Sequence, residues 1–78
     1  MVRYYFDTTT YGVEAPDTEG SELETLDQVI DLALGVLAEM MHLGSHPIKP
    51  GDFFVNVREE TGRIIYQGKL SLAGEWLV

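Results

Sequence analysis

The amino-acid sequence predicts an α+β domain with one α-helix packed on a small antiparallel sheet of three to four strands, in the order ββαββ. Three observations predict this class. Residues 26–43 carry apolar side chains at helical spacing. Short stretches with alternating apolar residues stand on both sides of that segment. The chain has 78 residues and no linker-like stretch, so we expect residues 1–78 to form a single domain.

The N-terminal part of the chain predicts two strands and a polar turn. Residues 2–7 alternate between the two faces of a strand and are rich in aromatic side chains. Residues 13–15 are expected to form a short second strand, which Pro16 ends. Residues 17–20 are polar and end in Gly20, which can take the positive φ that a tight turn requires.

The helix is predicted to begin at a capping box. Thr25 and Gln28 have the spacing at which the threonine side chain accepts from the backbone and the glutamine side chain reaches back. Residues 21–24 offer an earlier and weaker version of the same signal. We expect the helix to cover residues 26–43, with Gly44 as its C-terminal cap and two prolines beyond it that prevent continuation.

The apolar side chains of this helix cover an arc of roughly 200°, whereas a surface helix needs little more than 100°. One stripe is expected to pack on the sheet, and its members are Leu26, Ile30, Ala33, Leu37 and Met41. A second group lies toward one edge of the helix and is harder to bury: Leu32, Val36 and Leu43. The helix thus presents more apolar surface than one sheet face covers.

The C-terminal part predicts a β-hairpin. Its strands are expected over residues 52–59 and from 63 to about 70, joined by a loop in which Gly62 takes the left-handed conformation. If the pairing of Glu59 with Arg63 continues regularly, Val57 faces Ile65 and Asn56 faces Tyr66. The sheet face away from the helix would then carry several large apolar or aromatic residues, namely Tyr5, Phe54, Ile64 and Tyr66.

The charge balance limits the possible partners. Thirteen acidic residues against five Lys and Arg give a net charge of −8, which repels nucleic acids and anionic lipid surfaces and favours a basic protein partner. The longest apolar stretch, residues 32–43, is too short and too polar to span a bilayer. The first residues do not form a targeting signal, and cysteine is absent. We therefore expect a cytoplasmic protein that binds neither nucleic acid nor membrane.

The residues that could support chemistry do not form a convincing site. His42 and His46 are four residues apart, but Gly44 breaks the helical geometry that a shared metal ion would need. The acidic stretch over residues 17–22 lacks the glycine position and distant glutamate of a calcium loop. No serine stands in a nucleophile motif. We expect no catalytic residue, no metal site and no cofactor.

The arginines permit two interpretations. Arg3, Arg58 and Arg63 all come from predicted strands and could together form a basic patch that holds a carboxylate or a phosphate. The alternative, which we favour, is cross-strand pairing with acidic residues at position 7, 59 or 60.

The aromatic and apolar residues left over from the core predict an interface between protein chains, since aromatic residues are enriched there. The candidate residues are Tyr5, Phe54, Ile64, Tyr66, Leu32, Val36 and Trp76. A chain of this size without disulfides gains stability by self-association, so a homodimer is the first expectation. The alternative is that the tail with Trp76 folds back over the sheet of its own chain.

Two stretches and a hairpin resemble a family of short bacterial proteins known only as a domain of unknown function. They are residues 3–7 (RYYFD), residues 17–23 (DTEGSEL) and the hairpin residues 57–63 (VREETGR). The family pattern opens R-Y-[FY]-F-[DH], continues D-x-x-G-x-E-[LF] and closes on a G-R hairpin. The resemblance covers nearly the whole chain, supports the ββαββ order, and implies no activity or cofactor.

A weaker likeness links the chain to the HicB-type antitoxins, which also pair an aromatic N-terminal strand with a following helix. Their central strand motif and DNA-binding segment are lacking here. The leading prediction is therefore a homodimeric structural or interaction module without catalytic activity. The alternative is an antitoxin-like or adaptor protein that docks on a basic protein partner.

Overall fold

The computed structural model describes residues 1–43 and 51–78, and within them one helix packs against an antiparallel sheet of five strands. The α+β class is confirmed, while the sheet has more strands than the three to four predicted. The strands are β1 (Val2–Thr10), β2 (Val13–Ala15), β3 (Ser21–Leu23), β4 (Gly51–Glu59) and β5 (Ile64–Leu72), and the helix is α1 (Leu26–Leu43).

The two edges of the sheet are built differently. β1 pairs with β4 on one side; on its other side its C-terminal end pairs with β2 and its N-terminal end with β3. β5 pairs with β4 and is the outermost strand on the opposite side. One edge is therefore made of two strands of three residues, and the other of a single strand of nine.

Strand β3 is the element that the sequence did not predict. The sequence predicts a weak helix start over residues 21–24, whereas Ser21–Leu23 pairs with Val2, Arg3 and Tyr4 of β1. The stretch Ser21–Leu23 contains only one apolar residue, and its formation depends on the backbone of β1, which lies far away in the sequence.

The predicted helix start is confirmed. The backbone N–H of Gln28 donates to the Thr25 hydroxyl oxygen over 3.2 Å, and the Gln28 side-chain oxygen accepts from the N–H groups of Glu24 and Thr25 at 2.8 and 3.4 Å. These bonds satisfy backbone donors that the first helical turn leaves without partners. The predicted cap at Gly44 and the prolines after it lie outside the described residues.

The core lies between α1 and the sheet, but the helical stripe differs from the predicted one. The buried residues are Phe6 of β1, Val29, Ala33 and Leu37 of α1, and Phe53, Val55 and Val57 of β4. Ala33 and Leu37 were predicted, whereas Leu26 is 65% exposed. Leu26 is the first residue of the helix, and because side chains tilt toward the N-terminus it extends beyond the packed turns.

The register of the β4–β5 hairpin corrects a second expectation. The loop behaves as predicted: the N–H of Glu59 donates to the carbonyl of Arg63, and Gly62 has a φ of 94°. A β-bulge then follows, so that Arg58 pairs with Ile64. Val57 consequently faces Tyr66 and not Ile65. A bulge inserts one residue into one strand and moves every later side chain to the other face.

Candidate functional site

The face of the sheet turned away from α1, called the outer face below, is more polar than expected. The bulge places Tyr66 opposite Val57 and against the core, so the prediction that Tyr66 belongs to the outer face is wrong. Tyr5 and Phe54 do lie there, both half-buried. Ile64 faces Arg58 at the start of β5 and is 59% exposed.

Arg58 is the centre of the polar contacts on this face. Its Nε donates to Asp7 Oδ2 over 2.7 Å, and one terminal nitrogen donates to the backbone carbonyl of Asp17 over 2.9 Å. Its guanidinium carbon also lies 4.5 Å from the centre of the Tyr5 ring. The hydrogen bond to Asp7 is the main reason why the pKa of Arg58 lies above its ordinary value. The guanidinium thus joins β1, β4 and the loop between β2 and β3.

The loop between β2 and β3 is held by Asp17. One carboxylate oxygen of Asp17 accepts from the N–H of Phe6 at 3.1 Å, and the other accepts from Glu19 and Gly20 at the same distance. The N–H of Asp17 in turn donates to Asp7 over 2.8 Å. The carboxylate therefore supplies β1 with the acceptor that a neighbouring strand would have supplied in the gap between β2 and β3.

The charge state of Asp17 follows from these contacts. Partial burial raises the pKa of Asp17, but hydrogen bonds from the backbone of Gly20, Phe6 and Glu19 and the positive charge of Arg58 outweigh it. The pKa therefore lies below its ordinary value of 3.8. Hydrogen bonds to the charged form of a carboxylate favour that form, so Asp17 carries a negative charge at neutral pH.

The other arginines are also paired, as the favoured interpretation predicted. Arg63 contacts Glu59 at 2.9 Å. Arg3 contacts Glu22 at 3.1 Å and also donates to the carbonyl of Glu19 over 2.7 Å. The acceptor for Arg3 lies on β3, the strand that was not predicted. The arginines therefore hold the fold together and do not form a free basic patch.

The rest of the outer face is occupied by a similar set of contacts. The Gln67 side chain donates to Asn56 over 2.8 Å, and Lys69 lies 3.7 Å from Asp52 and 5.9 Å from the centre of the Phe54 ring. An antiparallel sheet with one solvated face is expected to be polar there. The outer face thus gives less support to a broad apolar interface than the predicted register did.

Strand β5 forms the second surface of interest. It pairs with β4 only, so along its nine residues the other edge meets no strand in the part of the chain that the structure describes. Long unpaired edges are templates for pairing with another chain. β5 contains Lys69 and no acidic residue, although the whole chain has thirteen Asp and Glu.

The helix flank above β5 is apolar. Leu34 Cδ2 lies 3.7 Å from the point where a Cβ on Gly68 would stand, so this side chain covers the middle of β5. Leu34 is nevertheless 48% exposed. Ile30, one helical turn earlier on the same flank, is also exposed. We define β5 together with Ile30 and Leu34 as the β5 surface. The sequence does not predict this surface, because the spacing of apolar residues along α1 does not show where the sheet ends.

The remaining predicted interface residues do not join the β5 surface. Leu32 lies on the opposite flank of α1, and Val36 is half-buried against the core. Trp76 follows the end of β5 and is 93% exposed, so the alternative in which the tail covers its own sheet is not what the structure shows. His46 lies outside the described residues. Within the described ranges, no three metal-ligating side chains lie together.

The molecule exposes more surface than a compact monomer does. A folded chain of 8.7 kDa is expected to expose about 4,700 Å², whereas this one exposes 5687 Å². Its radius of gyration is 13.9 Å, compared with about 11.5 Å for a globular chain of this length. The extended segment after β5, in which Trp76, Leu77 and Val78 are at least 85% exposed, accounts for part of this excess of about 1,000 Å².

In the ranges 1–43 and 51–78, fold and contacts define an α+β fold with one helix, in which the paired arginines and Asp17 serve the architecture of the sheet. Residues 3–71 match the model of a family described as a domain of unknown function, DUF6894, and the chain belongs to that family. The chain matches no curated protein and no solved structure. In the ranges that the structure describes, α1 is not long and apolar enough to cross a membrane.

Proposed function

We propose that this protein is a non-catalytic interaction module that acts as a homodimer, and that two copies join through the β5 surface. The observation that carries the proposal is the contrast between the sheet edges. The β2–β3 edge is short, interrupted by the Asp17 loop and bears Glu14 and Glu22. The β5 edge is long and free of acidic residues, which matters because two copies with a net charge of −8 repel each other elsewhere.

Antiparallel pairing of β5 with its copy gives a symmetric arrangement. If all nine residues overlap, the two-fold axis passes through Gly68, and Tyr66 faces the partner's Leu70 on the helix side. Lys69 faces the partner's Gln67 on the outer face. Gln67 is uncharged and does not repel Lys69, whereas like charges directly opposite each other destabilise a strand pair. The same patch thus serves both copies, as a two-fold interface requires.

The helices also come together in this arrangement. α1 packs on β4 and β5, so the two helix axes would be separated by two to three strand spacings, about 10–14 Å. Packed helices lie 8–10 Å apart. The exposed side chains of Leu34 and Ile30 point into the space between the helices and would fill it. Sheet pairing and helix contact therefore use one continuous surface.

A matched pair of helix variants tests this proposal by sedimentation velocity. Leu34→Lys places a charge beside β5 and should raise the Kd of the dimer by tenfold or more, since an unpaired buried charge costs several kcal/mol and about 1.4 kcal/mol is tenfold. Leu32→Lys carries the same change on the opposite flank and should leave the Kd unchanged. A wild-type protein that stays at 8.7 kDa at tens of micromolar would overturn the proposal.

A third variant separates the β5 surface from the outer face. Phe54→Asp alters the outer face, where the sequence predicted an interface. Phe54 lies on β4, where it pairs with Lys69, and not on the unpaired edge of β5. The homodimer through β5 predicts that this variant still dimerises. If Phe54→Asp is monomeric and Leu34→Lys is dimeric, the interface lies on the outer face and not on the β5 surface.

The absence of catalytic activity is part of the proposal. The shifted pKa values of Asp17 and Arg58 are explained by contacts that hold a loop and a strand pair. Active sites place such groups in a concave site with a reacting partner, whereas this pair lies on a sheet face. We also place the protein in the cytoplasm, which the lack of cysteine supports.

A second candidate function is an adaptor that binds a basic protein. The exposed residues Glu14, Glu19, Glu24 and Asp27 favour it, because they gather around the β2–β3 edge and the start of α1. Such a surface speeds association with a positively charged partner. Affinity capture from the native host tests this candidate: a stoichiometric basic protein that dissociates at high salt is expected, and recovery of the chain alone would count against it.

A further inference from the structure

The segment after β5 is the largest exposed apolar feature that the dimer alone leaves unexplained. Residues 73–78 have no secondary structure, and Trp76, Leu77 and Val78 are all at least 85% exposed. Tryptophan is the residue most often found as an energetic anchor of protein interfaces. These three large apolar side chains are consecutive and contact little of their own chain. Such a segment is typical of one that binds another surface.

From these observations, we propose that this segment docks on the second copy of the chain, where Trp76 covers the hairpin end of the partner's sheet. The proposal rests on the homodimer proposed above, because the β5 pairing sets the direction of the tail. With the two-fold axis at Gly68, Leu72 lies beside the bulged start of the partner's β5, next to the hairpin loop. The residues after Leu72 therefore continue past the partner's hairpin loop.

The hairpin end offers a surface of suitable chemistry. A depression of about 340 Å³ lies there, between the start of β1 and the β4–β5 loop, and its lining residues are Met1, Val2, Arg3, Glu59, Glu60 and Thr61. Met1 and Val2 are exposed in the single chain, as is Ile64 beside the loop. An indole ring would shield these apolar groups from water, and the polar residues can form the rim.

The reach of the tail permits this docking. Trp76 is the fourth residue after Leu72, and four residues span at most about 14 Å, to which the indole side chain adds its own length. The depression lies about 10–14 Å from the partner's tail, which is two to three strand spacings. On its way the tail passes Arg63, whose side chain is 75% exposed. Glu75 precedes Trp76 and would share Arg63 with Glu59, which contacts it at 2.9 Å. The tail would thus extend the interface beyond the strand pair.

The single tryptophan of the chain makes the proposal directly measurable. Fluorescence of the full-length wild type should shift to shorter wavelength as its concentration rises through the Kd measured by sedimentation, and acrylamide quenching should fall in parallel. The monomeric variant Leu34→Lys should keep a solvent-exposed spectrum at every concentration. A stable wild-type dimer whose Trp76 emission equals that of Leu34→Lys would overturn the docking and leave the dimer intact.

An affinity measurement gives a second, independent test. Trp76→Ala should raise the Kd by about tenfold or more, as truncation of an interface anchor does. Val13→Ala changes an exposed apolar residue at the opposite edge of the sheet and should have no effect. Equal Kd values for Trp76→Ala, Val13→Ala and wild type would overturn the docking. If the wild-type protein remains monomeric in sedimentation velocity, the homodimer itself is refuted, and this outcome is distinct from a failure of the docking.

Discussion

Asp17 shows how one side chain can replace a piece of secondary structure. Its carboxylate accepts from Phe6 of β1 and from two N–H groups of its own loop, and Arg58 holds the loop from the other side. The residues concerned belong mostly to the stretches RYYFD and DTEGSEL that carry the family resemblance. Their pattern is therefore explained by the architecture of the β1 edge.

The variant Asp17→Asn tests this role. An amide has a single acceptor oxygen and no charge, so at least one of the three backbone donors loses its partner. We expect a loss of about 1 kcal/mol in the free energy of unfolding at pH 7, the usual net value of a hydrogen bond. Denaturant titration measures it. A variant as stable as the wild type would contradict the bridging role of the carboxylate.

The loss in free energy of unfolding caused by Asp17→Asn is expected to become smaller as the pH falls. The pKa of Asp17 is lower in the folded state than its ordinary value of 3.8, so its contribution is fully present above that value. The contribution disappears as the pH falls through the lower, folded-state pKa. The stability difference between wild type and Asp17→Asn should therefore shrink between pH 5 and strongly acidic pH, as measured by urea titrations over that range. A difference that stays constant would contradict the assignment.

At the scale of elements, the sequence predicted what local chemistry decides. The helix start follows from Thr25 and Gln28, and the hairpin loop from Gly62; the structure confirms both. Strand β3 and the bulge in β5 were missed, because each depends on the backbone of another strand. Because of the bulge, Tyr66 lies against the core and not on the outer face. The β5 surface follows from the order of the strands, which the sequence does not determine.

Gly68 connects β5 to the helix and gives a prediction for the element itself. A Cβ at this position would stand 3.0 Å from Val55 and 3.2 Å from Leu37, both buried. The cost of overpacking a core, about 1–3 kcal/mol, is expected to exceed the roughly 0.5–1 kcal/mol that alanine gains over glycine in a strand, so Gly68→Ala should lower the free energy of unfolding. Thermal unfolding measures the loss. Gly74→Ala is a suitable control, because nothing lies within 4 Å of the added group. Equal stability of the two variants would contradict the close packing of α1 on β5.

At the scale of the whole molecule, surface area and charge lead to the same conclusion. The chain exposes about 1,000 Å² more than a compact monomer of its mass, and the tail is the most exposed apolar segment, while Ile30 and Leu34 of the β5 surface are also exposed. The sequence predicted self-association from the excess of apolar residues but assigned it to the outer face or the Leu32 edge of the helix. Our proposal assigns it to the edge beside Leu34, because the outer face is occupied by paired polar side chains.

The most direct test of this conclusion is an isotope-filtered NMR measurement on a dimer assembled from labelled and unlabelled chains. Pairing of β5 about Gly68 predicts intermolecular contacts between Tyr66 and the partner's Leu70, and between the backbones of Gln67 and the partner's Lys69. Contacts of this kind would establish both the interface and its register. Intermolecular contacts confined to Tyr5 and Phe54, or none in a sample of dimeric mass, would contradict the β5 homodimer.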